Sequence, residues 1–199
     1  RAGAPGPARL LETRDTVLAR IDEWREKLPV VGLSVALVDR DGLAWAVAVG
    51  EADREARRLA APDTIYALGS LTKPYLALTA LHAAERGRLD LDAPLIGHLP
   101  ELRAPGADAI TARHVLCHRS GLLSEWHRGG LAARPPDWRQ LAAEIGGEPL
   151  IAPPDRWYAY SNVAYTLLGH VLERMSDRPL QDLVDEAVAA ALGASRPVF

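Results

Sequence analysis

The 199-residue sequence has one cysteine, one methionine and one phenylalanine. Its single cysteine, Cys117, excludes an intrachain disulfide and a cysteine-rich metal site. No apolar run approaches the roughly 20 residues needed to cross a bilayer, and a formal charge of −3 is too small to favour a nucleic-acid or polybasic membrane partner. Stability is therefore expected to come from a packed core, in one domain or two small lobes.

Lysine and asparagine are also scarce. Of the 23 basic residues only Lys27 and Lys73 are lysines, and Asn162 is the one asparagine. Arginine stays protonated at any relevant pH, whereas burial or nearby positive charge drives a lysine towards the neutral amine. A lysine retained in such a sequence is therefore a candidate for proton transfer. Lys27, at the end of a predicted helix, is instead expected to lie on the surface.

Hydrophobic periodicity predicts a mixed helix and strand chain. An amphipathic helix is predicted over residues 8–28, followed by a β-hairpin over residues 33–50 with an Asp-Gly turn and a polar excursion over residues 51–66. The strongly apolar residues 71–84 predict a buried helix that ends near Gly87. Further helical segments are predicted at residues 111–117, at 138–145, after Asn162 and at 180–192.

Ser70 and Lys73 place a hydroxyl and an ammonium three residues apart at the start of the apolar helix, so that both project from one helical face. Serine is a poor nucleophile until a neighbour takes its proton, and a desolvated lysine can do so. A serine at a helix N-terminus also offers its backbone N–H and the helix dipole to a developing oxyanion. The structural alternative is a helix-capping serine with Lys73 in solvent.

Tyr160-Ser161-Asn162 is the second candidate motif. A phenol near an ammonium can act as a general base or proton shuttle, and an asparagine amide both donates and accepts hydrogen bonds. The structural alternative makes Asn162 an ordinary helix N-cap and Tyr160 a core aromatic. For this composition, a Ser-x-x-Lys and a Tyr-x-Asn arise together by chance roughly once in five hundred sequences, which favours the functional interpretation.

Four segments carry a resemblance to a known family. They are residues 68–74 (LGSLTKP), 87–94 (GRLDLDAP), 116–122 (LCHRSGL) and 160–165 (YSNVAY). From about residue 30 onwards the chain resembles the serine β-lactamase and penicillin-binding-protein-like superfamily, in the branch of class C β-lactamases, D,D-carboxypeptidases and related carboxylesterases. The resemblance implies an α/β fold of the α+β type, with a helical lobe and an antiparallel sheet.

The resemblance also implies residue roles. Ser70 would be the acylated nucleophile, Lys73 would activate it, Tyr160 would take part in proton transfer, and Asn162 would bind the substrate amide or support Lys73. The resemblance does not extend to class A, whose separate deacylation glutamate sits beside an asparagine, because the only asparagine here belongs to the Tyr-x-Asn motif. No cofactor and no metal are implied.

A third family motif, Lys-Thr-Gly or a His-x-Gly variant, is expected on a strand well after Tyr-x-Asn. The sequence has none there, and His127-Arg128-Gly129 precedes Tyr160 and is interpreted as coincidence. The expectation is a single incomplete domain with an incomplete sheet. Residues 1–66 would form its N-terminal helix and hairpin, 67–174 its helical lobe, and 175–199 a helix leading to missing strands. A second polypeptide segment would then complete the sheet.

Other side chains were candidates with a weaker pattern. His114 and His118 have the spacing of a two-histidine metal site but lack the accompanying glutamate, so packing or capping is favoured. Aromatic residues near the motifs could line a substrate cleft or fill the core; they are Trp126, Trp138, Trp157 and Tyr158.

The sequence therefore predicts a serine hydrolase that forms an acyl-enzyme at Ser70. The alternative is a catalytically silent relative or fragment with a binding or association role. The expected partner of the predicted hydrolase is a small-molecule or peptide substrate. Ester, β-lactam and D-amino-acid amide or peptide substrates all remain open, as does the cellular compartment. No nucleic-acid partner and no transmembrane segment are expected.

Overall fold

The chain divides into two compact units, Arg1–Ala67 and Leu68–Phe199, within which the computed structural model describes residues 8–126 and 138–189. Helices and one small antiparallel sheet make up the described part, which confirms the predicted α+β class. Within it, no helix combines the length and the hydropathy needed to cross a membrane.

The first unit contains one helix and three antiparallel strands. They are α1 (Ala8–Lys27), β1 (Gly32–Asp39), β2 (Gly42–Asp53) and β3 (Arg58–Leu59), with the sheet order β1-β2-β3. The predicted hairpin is confirmed: Val35 pairs with Val47, and Gly42 closes the turn with φ of +115°. Strand β3 corrects the prediction of a plain polar excursion, because a two-residue strand is too short to produce an alternating pattern.

Helix α1 confirms the predicted helix but not all of its apolar stripe. Ile21 is buried, whereas Trp24 and Leu28 are each 55% exposed. Helical periodicity identifies a face of the helix, but which part of that face is covered depends on what packs against it.

The second unit is helical. A 3₁₀ turn, Gly69–Leu71, leads into α2 (Thr72–Glu85), which is followed by α3 (Ala112–Leu116), α4 (Trp138–Ile145), α5 (Asn162–Ser176) and α6 (Leu180–Val184). Short 3₁₀ turns at Leu95–Gly97 and Ala107–Ala109 interrupt the loop before α3, and α6 continues as a π-helical turn, Asp185–Ala189. The helices predicted at 111–117, at 138–145 and after Asn162 are confirmed, and that over 180–192 is confirmed as far as it is described.

Helix α5 lies at the centre of the core of this unit. Its buried side chains pack with those of α2, α3, α4 and the intervening loops; they include Leu76, Ala80, Leu95, Leu99, Leu102, Ile110, Val115, Ile145, Leu167, Leu168 and Val171. The prediction that α2 is buried on most faces is wrong in part, because Leu78 and Leu81 are 50% and 42% exposed. Gly169 of α5 is closely packed, since a Cβ there would lie 3.0 Å from Leu180 Cδ2 and the leucine side chain would have to shift to accommodate it.

Candidate active site

Ser70 and Lys73 lie together at the start of α2. Gly69, with φ of +54°, begins the 3₁₀ turn that carries Ser70, and Lys73 follows in the first turn of the α-helix. Lys73 Nζ donates a hydrogen bond to Ser70 Oγ over 3.2 Å. The alternative in which Lys73 points only into solvent is therefore wrong, since the ammonium faces the exposed Ser70 hydroxyl.

Tyr160 and Asn162 reach the same two side chains from the start of α5. Tyr160 Oη donates to Ser70 Oγ over 2.7 Å, and Asn162 Oδ1 accepts from Lys73 Nζ. The ammonium also lies 4.7 Å from the centroid of the Tyr160 ring, within cation–π range. Residues about 90 positions apart in the sequence thus form one hydrogen-bonded group around Ser70 Oγ.

The N-cap of α5 is Ser161. Ser161 Oγ accepts from Ala164 N–H over 2.9 Å and donates to Leu123 O over 2.5 Å, and its side chain is fully buried. The alternative that made Asn162 the cap is therefore wrong. With Ser161 as the cap, the Asn162 side chain is available to contact Lys73.

Lys73 changes the acidity of Tyr160. The hydrogen bond from Lys73, followed by the one with Ser70, lowers the pKa of the Tyr160 phenol from its ordinary value near 10. A nearby cation favours the phenolate, and a phenol of lowered pKa is a better proton carrier near neutral pH. Tyr160 is 37% exposed, so solvent screens part of this effect.

His118, for which the sequence favoured packing or capping over metal binding, packs against Tyr160. The two rings stack with centroids 4.3 Å apart, and His118 Nδ1 accepts from Ser161 N–H over 3.1 Å. Burial, and then the charge of Lys73, lower the pKa of His118, which keeps the imidazole neutral and able to accept that bond. His118 thus holds both the ring and the backbone of the Tyr-x-Asn segment.

Glu125 is a residue that sequence reasoning missed. Asn162 Nδ2 donates a hydrogen bond to Glu125 Oε1. A glutamate therefore does lie beside the single asparagine, although 37 residues separate them. No local pattern around Glu125 indicates this contact, because it depends on how the loop after α3 folds back onto α5.

The remaining candidates lie at the edge of the group or outside it. His114 Nδ1 accepts from Thr111 N–H, 3.3 Å away, in a capping box at the start of α3, which confirms the predicted capping role. Trp126 donates to Glu144, and Trp157 and Tyr158 are 63% and 68% exposed. His127-Arg128-Gly129 and the side chain of Trp138 lie outside the described residues.

Two cavities of the second unit differ in volume and in the residues that line them. One of about 360 Å³ is lined by Gly69, Lys73, Asn162 and Glu173, among others, and so adjoins the catalytic candidates. A larger one of about 620 Å³ lies at the far end of α2, around His82 and Arg86. Residues 8–126 and 138–189 contain no group of three or more histidine, cysteine or acidic side chains arranged to hold a metal ion.

Comparisons with known proteins identify the family. The model of the Beta-lactamase family matches residues 18–199. Esterase EstB of Burkholderia gladioli is 38% identical over 88% of this chain, which covers 48% of that relative. Among solved structures, EstCE1, a hydrolase with promiscuous acyltransferase activity, is 30% identical with a TM-score of 0.73, and the match covers 86% of this chain and 49% of that one.

A class C β-lactamase from Rhodobacter sphaeroides is 28% identical with a TM-score of 0.75, over 89% of this chain and 49% of that one. The chain therefore spans about half the length of this relative and of these two structures. The family model matches most of the chain and the solved structures share its fold, so the chain belongs to the Beta-lactamase family.

Proposed function

We propose that this chain carries the acylation machinery of a serine hydrolase that cleaves esters through a covalent acyl-enzyme at Ser70. The observation that supports this proposal best is the pair of contacts to one oxygen, Lys73 Nζ at 3.2 Å and Tyr160 Oη at 2.7 Å from Ser70 Oγ. Ordinary serines have no need of two proton-carrying neighbours, whereas an attacking serine needs one group to take its proton and one to return it.

For acylation the Lys73–Tyr160 pair must hold one proton fewer than an ammonium beside a phenol, as the Tyr160 phenolate beside the ammonium or as the neutral Lys73 amine beside the phenol. Ser70 Oγ then attacks the ester carbonyl and its proton passes to this pair. A bond forms between Oγ and the carbonyl carbon, and the tetrahedral intermediate places negative charge on the carbonyl oxygen. Collapse of the intermediate breaks the bond to the alkoxy group, which leaves as the alcohol with the proton held by the pair. The product of this step is an ester of Ser70.

Deacylation reverses the same proton transfers with water as the nucleophile. The Lys73–Tyr160 pair takes a proton from water, the hydroxide attacks the acyl carbon, and Ser70 Oγ leaves and recovers its proton. The lowered pKa of Tyr160 suits this cycle, because a phenol that ionises more readily accepts and returns a proton at lower energetic cost.

Esters are the first substrate class to test, since the relative with 38% identity is an esterase. The β-lactam and D-amino-acid amide classes share the same acyl-transfer chemistry. A p-nitrophenyl ester, a chromogenic cephalosporin and a D-amino-acid anilide, compared at equal concentration, would rank the three classes by kcat/KM.

A fluorophosphonate probe with intact-mass detection tests the nucleophile. We expect one adduct on the parent chain, its loss in Ser70→Ala, and its retention in Ser176→Ala, which changes a serine at the opposite end of α5. A parent chain that forms no adduct, or an adduct that survives Ser70→Ala, would contradict the proposal. The former result would favour the catalytically silent alternative.

A further inference from the structure

The side-chain amide of Asn162 lies between two groups of opposite charge. Its oxygen, Oδ1, accepts a hydrogen bond from the Lys73 ammonium. Its nitrogen, Nδ2, donates a hydrogen bond to the Glu125 carboxylate. The chain of contacts therefore runs from Glu125 through Asn162 and Lys73 to Ser70 Oγ.

The chemistry of the two end groups fixes the direction of the amide. An ammonium can only donate hydrogen bonds, and an ionised carboxylate can only accept them. The amide oxygen must therefore face Lys73 and the amide nitrogen must face Glu125. With a neutral amide in place of Glu125, both orientations of Asn162 would find a partner on that side, and one of them would turn a donor towards the ammonium.

The loop that carries Glu125 is bonded to α5 by its own backbone. Ser124 O accepts from Asn162 N–H over 2.9 Å, and the preceding carbonyl, Leu123 O, accepts from Ser161 Oγ. On the other side of Glu125, Trp126 Nε1 donates to Glu144 over 2.8 Å. The position of Glu125 next to Asn162 is thus set by contacts on both sides of it in the chain.

Glu125 also acts electrostatically on the proposed proton carriers. Its charge opposes the effect of Lys73 and raises the pKa of Tyr160, although the contacts with Lys73 and Ser70 outweigh it. Removing the carboxylate should therefore shift the titration of Tyr160 to lower pH. A residue with only a packing role would leave that titration unchanged.

We propose that Glu125 is a positioning residue, which orients the Asn162 amide with its oxygen towards Lys73 and so holds the ammonium against Ser70. This inference rests on the proposed function for its catalytic meaning, but the orientation itself is a structural property. It also assigns Asn162 to the support of Lys73, one of the two roles that the family resemblance left open.

The test is a double-mutant cycle of Glu125→Gln and Asn162→Asp in the 199-residue chain. In the parent, Glu125→Gln removes the group that orients the amide, so the rate of Ser70 labelling should fall by about threefold to thirtyfold. In the Asn162→Asp background, the new carboxylate at position 162 faces the Glu125 carboxylate. Glu125→Gln then replaces one of these like charges with an amide that can donate a hydrogen bond to the other. There the same substitution should raise the labelling rate by a similar factor.

A change of sign between the two backgrounds is the expected result. Glu144→Gln is the matched control: it removes a carboxylate near the same loop, but the glutamine amide oxygen can still accept the hydrogen bond from Trp126 that helps to place Glu125. It should change the labelling rate less than twofold in either background. An effect of Glu125→Gln with the same sign and size in both backgrounds would overturn the proposal. So would an effect no larger than that of Glu144→Gln.

Thermal unfolding of the same four proteins separates this inference from the proposed function. In the parent, Glu125→Gln should lower the midpoint temperature of unfolding. In the Asn162→Asp background the same substitution should raise that midpoint, whether or not Ser70 is reactive. If the parent forms no adduct but the midpoints change sign, the proposed function fails and the orienting role holds. Midpoints that shift equally in both backgrounds would overturn the orienting role even in an active enzyme.

Discussion

Ser161→Ala should lower the stability of the folded chain, because Ser161, which lies between the catalytic candidates Tyr160 and Asn162, has a structural role. The Ser161 hydroxyl has two structural contacts, as acceptor from Ala164 N–H at the start of α5 and as donor to Leu123 O. Loss of a serine N-cap costs about 1 kcal/mol. Leaving a shielded carbonyl without its donor costs about 1–3 kcal/mol more.

Together these contributions amount to roughly 2–4 kcal/mol, or a fall in Tm of roughly 4–16 °C for a chain of this size. Urea unfolding followed by circular dichroism measures the first quantity and thermal unfolding the second. Ser176→Ala is the control, since Ser176 Oγ bonds only carbonyls of its own helix, at Leu172 and Glu173, and should cost under about 0.5 kcal/mol. Equal losses in the two variants would refute the reasoning.

Three further outcomes follow from the site and its supporting loops. Gly121→Ala should lower the free energy of unfolding in urea by about 3 kcal/mol or more, because Gly121 has φ of +75° and a Cβ there would lie 2.0 Å from Ala152 O. Gly147→Ala is the control and should be tolerated, since the space around Gly147 is open. Lys73→Arg should slow Ser70 labelling by about 10²- to 10⁴-fold, since it keeps the charge but not the removable proton, and labelling at the parent rate would exclude Lys73 as a base. The pKa of His118 is lowered in the folded chain. Its contribution to stability is therefore fully present above the unfolded value of about 6.5 and is lost as the pH falls from there through the lower pKa of the folded state. The Tm of the parent should therefore drop more between about pH 7.5 and pH 5 than that of His118→Asn, and parallel curves would contradict this.

The parts of the site that the sequence predicts are those set by local spacing. Ser70 and Lys73 are three residues apart on a helix, so their contact follows from helical geometry once the apolar pattern of residues 71–84 is recognised. The start of α5 is similarly marked by polar residues before a helical apolar pattern. Which of those polar residues caps the helix is not marked, because Ser161 and Asn162 are both good N-caps and adjacent.

The parts that could not be predicted depend on distant segments. Glu125 and His118 belong to loops that fold back onto the segment around Tyr160 through backbone hydrogen bonds, such as Ala159 N–H to His118 O at 2.7 Å. A backbone bond of this kind leaves no trace in residue type. The exposure of Leu78 and Leu81 has the same origin, since hydrophobicity identifies apolar residues but not the neighbours that cover them.

Lysine and asparagine, two of the scarce residue types of this sequence, meet in one hydrogen bond between Lys73 and Asn162. Lys73 reaches Ser70 Oγ and Asn162 Oδ1 with a single compact ammonium, whereas a planar guanidinium would spread its donors and keep its protons. An aspartate at position 162 would face the Glu125 carboxylate with like charge, and an apolar residue there would leave that carboxylate and the ammonium without a common partner. The contact between Lys73 and Asn162, with Glu125 on the far side of the amide, therefore gives each of these two residues a chemical reason for its place in the site.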